Sequence, residues 1–176
     1  MNLVNLDSTT RAHMSAEVQR DIDDGVLYLS DRLSEVGLAD YPQLLLDAVA
    51  KGTPASLAAE LASHGRLNAS ELSHSKKGKP IVKDVPFDAA ETLADGEFNR
   101  FYMRGLCVRA LDEGVDAVQV YRAKAVEHPR SSSEQRIGEY VGAEALLDDL
   151  RNSIGVNTAL KLPNGPNSGL SVQLPA

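Results

Sequence analysis

The sequence predicts an α+β fold, mostly helical, built as a single domain with a small sheet and long polar loops. Three observations carry that expectation. Apolar residues recur at helical spacing in segments that open on a capping side chain and close on glycine. Two short stretches, 117–121 and 170–174, alternate apolar and polar residues in the manner of half-buried strands. Two long segments, 66–86 and 127–138, are polar and interrupted by turn-forming residues.

In chain order, Asp7 or Ser8 caps a first helix that runs to about Asp24, with Met14, Val18 and Ile22 drawing one apolar stripe and Gly25 ending it. Val26 to Leu29 is a short apolar run and reads as a strand. Ser30 or Asp31 starts a brief helical turn that Gly37 breaks. A second helix begins near Asp40 with Pro42 in its first turn, where a missing N–H costs nothing; it carries Leu44, Leu45, Ala48 and Val49 and stops at Gly52. Thr53-Pro54 repeats the cap-then-proline signal for a third helix, with Leu57, Ala58 and Leu61 inward and Gly65 as its stop. Residues 1–65 thus form a helical N-terminal part. Residues 66–86, RLNASELSHSKKGKPIVKDVP, have little apolar surface to bury and read as an exposed loop or arm, with a linker between two lobes as the alternative.

Residues 87–176 form an α+β part expected to make one compact domain with 1–65. Asp88 caps a short helix over 89–93. The strongest helix of the chain follows, Glu97 to Glu113, with Phe98, Phe101, Tyr102, Leu106, Ala110 and Leu111 near helical spacing. Four of the eight aromatic residues, Phe87, Phe98, Phe101 and Tyr102, fall here and mark the centre of the core. Over 117–121, Val118 and Val120 share one face, Gln119 and Tyr121 the other. Segment 127–138 is a second polar loop. Ala143 to Arg151 is a helix with Leu146, Leu147 and Leu150 inward. The turn residues of 163–169 lead to a last strand at 170–174. The expected sheet therefore joins strands near 26–29, 117–122 and 170–174.

A chain of 176 residues buries roughly 70% of its unfolded surface, so it needs neither disulfides nor metal for a core. With 43% hydrophobic and 24% charged residues, wholesale disorder is excluded. The single Cys107 lies in an apolar stretch and is expected to be a buried, inert thiol. The opening MNLVNLDSTT has no basic then apolar region of a signal peptide, and no apolar run has the roughly 20 residues of a membrane helix, so a soluble protein made in a cytoplasm is expected. The net charge of −7 argues against coating nucleic acid. The charge is uneven. Residues 1–64 hold ten acidic side chains and four basic ones, while lysines cluster at Lys76, Lys77, Lys79 and Lys83 and arginines recur from Arg100 to Arg136. That segregation suits head-to-tail contact between copies, or else describes plain solvated surface.

No catalytic constellation is legible. His13, His64, His74 and His128 lie far apart, no metal-ligand spacing or phosphate-binding glycine loop occurs, and neither a metal nor a cofactor is expected. The strand DAVQVYRAK invites comparison with a metal nuclease, but Arg122 stands where that chemistry needs an acid, and a cation repels the metal. The chain is accordingly read as a non-enzyme. Its candidate residues are cations for partner binding. Arg100 and Arg104, four apart on one helix face, can clamp a phosphate or a neighbour's carboxylate, or else pair locally with Asp112 or Glu113. Arg122, Lys124, Arg130 and Arg136 flank Ser131, Ser132 and Ser133 around the second polar loop, a pattern that can grip a phosphate backbone or an acidic patch. Lys76, Lys77 and Lys79 stud the first arm.

The runs GEFNRFYMRGLCVRALDEG, VYRAKAVEHPRSSSEQRIG, LLDDLR and GPNSGLSVQLP, with the opening MNLVNLDSTTRAHM, resemble as a set a group of uncharacterised proteins of tailed bacteriophages and prophages. The resemblance spans almost the whole chain and implies a structural component of a phage particle: a minor capsid, decoration or head–tail joining protein. It implies residence in the virion after assembly in the bacterial cytoplasm, with other virion proteins or copies of the chain as partners. Physically, the two polar segments would order on a neighbour and bury area there, by strand addition at 170–174 in one form. The alternative expectation is a small regulatory or nucleic-acid-binding module that uses the basic helix face and the lysine-rich loop.

Overall fold

A computed structural model describes residues 1–74, 78–163 and 168–175 and has the expected α+β architecture. Its helices are α1 (Ser8–Asp23), α2 (Glu35–Lys51), α3 (Pro54–Ala62), α4 (Ala89–Asp112), α5 (Ser131–Glu134) and α6 (Ala143–Asn152). The strands are β1 (Ser70–His74), β2 (Pro80–Asp84), β3 (Ala117–Arg122), β4 (Tyr140–Gly142) and β5 (Leu170–Gln173).

The 24-residue α4 is the axis of the molecule. It absorbs the short helix expected at 89–93, because Gly96 costs only about 1 kcal/mol in a helix interior and packing overrides it. α1, α2, α3, α6 and the strands β3 and β5 all pack against it. Phe98, Phe101, Tyr102, Met103, Leu106, Cys107 and Ala110 are buried in consequence, almost all round the helix. The surrounding core comes from Met14 and Val18 of α1, Leu45 and Val49 of α2, Leu57 and Leu61 of α3, and Leu146 and Leu150 of α6. Phe87 departs from expectation: it precedes the helix and stands fully exposed.

The caps read from sequence are largely in place. Asp7 accepts from the Thr10 N–H at 3.0 Å, and Thr53 and Ser56 form a reciprocal capping box. α2 starts earlier than the sequence suggests. Ser34 is its cap, accepting from the Gly37 N–H at 3.1 Å and donating to the Gly65 carbonyl at 2.7 Å. Gly37 therefore lies inside the helix, and it is required there: a Cβ would come within 2.0 Å of the Arg66 carbonyl oxygen. Pro42 sits inside α2, not in its first turn.

The three-stranded sheet has the order β4-β3-β5, antiparallel throughout. Val118 pairs with Val141 and Val120 with Val172, so the apolar face of β3 meets α4 and α6. The third strand is thus 140–142, not 26–29. The run Val26 to Leu29 fails as a strand because the N–H groups of Val26 and Leu27 both return to the Asp21 carbonyl, at 2.9 and 3.0 Å. The segment wraps the end of α1 instead of joining a ladder. A second sheet consists of β1 and β2 alone, in the segment the sequence reads as loop or arm.

α1 and α4 cross closely where Gly105 faces Met14; a Cβ there would come within 2.8 Å of the Met14 backbone nitrogen. Alanine improves helix propensity by about 1 kcal/mol, but overpacking typically costs 1–3 kcal/mol. We expect Gly105→Ala to lower the urea midpoint; a raised midpoint would show that the helices can separate without loss.

Candidate functional site

Of the nine cations proposed from sequence, Lys76 and Lys77 lie outside the described residues. Of the others, Arg100 and Arg104 are buried, and Arg122, Lys124 and Arg136 are half-buried and bonded within the chain, which corrects their reading as a free surface. Arg104 is 0% exposed. It donates to Glu17 at 2.8 Å and, in a two-pronged bond, to Asp21 at 2.6 and 2.7 Å, while its guanidinium carbon lies 4.8 Å from the Phe101 ring centre. Arg151 of α6 grips the same Glu17 at 2.5 and 3.0 Å. Burial pushes the Glu17 carboxyl up, but Arg151 and Arg104 together outweigh it and hold it below its ordinary range. Arg100 is buried too, donating to the Leu150 carbonyl at 2.5 Å. Arg122 donates to the Ser168 carbonyl at 2.9 Å, and Lys124 bonds Asp95 at 2.6 Å and Glu91 at 3.0 Å. Arg136 bonds Glu139 at 2.7 Å and the Leu160 carbonyl. Only Lys79 and Arg130 of the described set are exposed.

The reason is one that linear sequence conceals. Side chains four apart on α4 do share a face, but α1 covers it with the carboxylates Glu17 and Asp21, and α6 with the Leu150 carbonyl. The acid-rich first third and the basic later part thus meet within one chain, as Glu17–Arg104, Asp21–Arg104 and Asp7–Arg109. Segment 127–138 is likewise partly structured, by α5 and by the Arg136 anchor. Cys107 is the buried thiol expected, with burial pushing it up to about 12.

What the body leaves free is the ribbon β1–β2. Among the described residues no helix or other strand packs extensively against it. Its register sets Leu72 opposite Val82, and these side chains are 80% and 70% exposed. Ile81, on the ribbon's other face, and Phe87, beyond the end of β2, are exposed as well. Cross-strand apolar pairs of this kind normally face a core. The ribbon is rooted on the body by the Leu33–Leu67 bridge, by the Asn68 N–H on the Arg32 carbonyl at 2.9 Å, and by Arg32 bonding Glu71 at 2.6 Å. Arg32 and Lys83 hold the Glu71 carboxyl down to about 2, so this root stays ionised through the neutral range. The outer edges of both strands carry backbone groups with no ladder partner, since the sheet has two strands only. Sequence reasoning found the segment and missed its form. No apolar alternation announces the strands: Leu72 is the one apolar side chain of β1, and Ile81 and Val82 are adjacent in β2.

A second feature was not foreseen. A cavity of about 480 Å³ opens between α4, the segment Tyr28 to Arg32, and the segment Gly155 to Thr158. Glu97 and Arg100 both line it. Burial pushes the Glu97 carboxyl up to about 7, against the pull of Arg100 and Arg104.

No family model, curated protein or solved structure matches the chain. Among the described residues no cluster of His, Cys, Asp and Glu could hold a metal, and no helix is long and apolar enough to cross a membrane.

Two outcomes test these electrostatics. Arg104→Met leaves Asp21 buried without a cation and Glu17 with Arg151 alone, and is expected to cost about 3–5 kcal/mol by denaturant unfolding, against at most about 0.5 kcal/mol for exposed Arg130→Met. The folded state holds the Glu97 proton to about pH 7, whereas an ordinary carboxyl releases it near 4.5. Folding thus binds a proton between those values, and stability falls as pH rises through them. Glu97→Gln removes this slope and is expected to exceed the parent by roughly 1–3 kcal/mol at pH 8, with the gain vanishing near pH 4.

Proposed function

We propose that this chain is an assembly protein that grips another protein chain with the arm formed by β1 and β2. In the phage setting its sequence resembles, that makes it a structural component of the particle, of the minor capsid, decoration or head–tail joining kind. The supporting observation is the exposed Leu72–Val82 pair on a ribbon that the body does not cover. A small monomer gains nothing from leaving such side chains in water, and covering each contributes about 1.5–3 kcal/mol to a complex. The free strand edges supply main-chain hydrogen bonds to an added strand, and the apolar pair supplies the specificity. Strand addition at 170–174 is less favoured, because β5 is buried on its own sheet.

Nucleic acid is the weaker partner on the same evidence. Arg100 and Arg104, the basic helix face of that alternative, are committed inside the fold. Lys76 and Lys77 of that alternative lie outside the described residues, and a net charge of −7 opposes a polyanion.

The test is a pair of substitutions at the arm. Leu72→Asp with Val82→Asp should leave thermal unfolding almost unchanged, because both sites are exposed. It should remove the chain from purified particles produced by its host cell, as read by mass spectrometry. Particles that carry the variant at the parent level, or a parent chain absent from particles altogether, would overturn the assignment to a virion. Self-association of the parent in sedimentation, lost in the variant, identifies a second copy as the occupant.

A further inference from the structure

The cavity on α4 has no part in an arm that grips proteins, and its wall chemistry is unlike the rest of the core. Every other buried carboxylate of the body is matched by a cation: Glu17 by Arg104 and Arg151, Asp21 by Arg104, Asp95 by Lys124. Glu97 is not. It is 9% exposed and makes no hydrogen bond or ion pair among the described residues. Arg100, one helical turn on, spends one guanidinium nitrogen on the Leu150 carbonyl and makes no ion pair with Glu97. Glu97 and Arg100 thus line one cavity with no hydrogen bond or ion pair between them, while the third charged group of the wall, Arg32, is paired with Glu71. Most of the remaining wall is apolar, with Leu93, Leu150 and Val156 prominent.

The cavity is also constructed, not left over. Its outer wall belongs to segment 153–162, which Asp149 of α6 organises by accepting from the N–H groups of Ala159 and Leu160, at 2.8 and 2.6 Å. Thr158 closes the segment on itself through Leu162, donating at 3.0 Å and accepting at 2.9 Å. A volume of about 480 Å³ lies within the roughly 300–1,000 Å³ of small-molecule sites.

We propose that this cavity binds a small zwitterion, a free α-amino acid with an apolar side chain, its ammonium against Glu97 and its carboxylate against Arg100. The argument is one of charge. A purely anionic ligand at Arg100 would meet the Glu97 carboxylate, and a purely cationic one at Glu97 would meet the Arg100 guanidinium. A molecule carrying both charges a few ångströms apart satisfies each without repulsion, and an apolar side chain suits the leucine and valine wall. The groups that act on Glu97 from around it are Arg100 and Arg104 on its own helix, Asp21 from α1 and Tyr41 from α2; Arg32 and Tyr28 line the same cavity. With the carboxyl ionised above about pH 7, binding strengthens from pH 5 to pH 8.

The experiment is thermal unfolding of the full chain at pH 8 with L-leucine, L-valine or L-phenylalanine. Two comparison compounds each lack one charge: 4-methylpentanoate and 3-methylbutylamine. A ligand that binds only the folded chain raises its midpoint by mass action. The expected result is a midpoint raised by at least one of the amino acids and by neither single-charge compound. Calorimetric titration of Glu97→Gln, which the pH argument says folds well, should show affinity reduced roughly tenfold or more. No shift with any amino acid, an equal shift with a single-charge compound, or unchanged affinity in Glu97→Gln would each overturn the site. None of these outcomes bears on the arm, whose variants leave the cavity's charged pair in place.

Discussion

The buried guanidinium of Arg104 is the constraint around which this fold is arranged. A cation at the centre of a core is tolerable only if anions come with it, and α1 supplies two, Glu17 and Asp21, on successive turns. Glu17 then needs more than one cation, and Arg151 of α6 answers it. Two carboxylates and two guanidiniums thus form a neutral cluster that fixes α1 and α6 on α4 at once. Such clusters add little net stability compared with an apolar core, but they are intolerant of misregistry. Sliding α1 by one turn on α4 would strand at least one charge. Gly105 makes the close approach of α1 and α4 possible, and Phe101 packs under the guanidinium.

Once α4 is committed to this cluster, its other polar residues must find partners in whatever packs next. Asn99 does so on β5, donating to the Leu170 carbonyl at 2.9 Å and accepting from Ser171 at 2.7 Å. Arg100 reaches the end of α6, where free carbonyls favour a cation. Lys124 reaches back to Asp95. Each of these bonds places a neighbouring element, so the polar residues of α4 specify the architecture while its aromatic residues supply the burial. Among the described residues Glu97 finds no hydrogen bond or ion pair, and the body leaves a cavity there.

Much of this fold is legible in the sequence because its helices are local objects. Caps at Asp7 and Thr53, the Met14–Val18 stripe and the β3 alternation depend on near neighbours in the chain. The misreadings have a common cause, which is contact between distant segments. Gly37 looks like a helix stop and is a point where Arg66 comes close. Val26 to Leu29 looks like a strand and lacks a partner strand. Tyr140–Gly142 is too short to announce itself, and only β3 makes it a strand. Arg100 and Arg104 look like a surface because their partners lie 50 and more than 80 residues away. The arm was located by its composition, and its ribbon form depends on pairing across residues 75–79. The cavity had no local signature at all, since its walls come from three separate parts of the chain.

Arm and cavity meet at Arg32. Its guanidinium bonds Glu71 at the root of the ribbon, and the same residue, with Tyr28 and Ser30, lines the cavity on α4 and the groove beneath the ribbon. The segment that failed to become a strand is therefore the partition between the two features. It can serve as one because it is not a strand: with Val26 and Leu27 tied to the end of α1, the chain is free to turn Tyr28 and Arg32 toward α4 and the ribbon together. A regular strand at this position would point Tyr28, Ser30 and Arg32, spaced two residues apart, to a single face and could not turn them toward both features. The irregular backbone at 26–33 is thus what lets one short segment root the arm and wall the cavity.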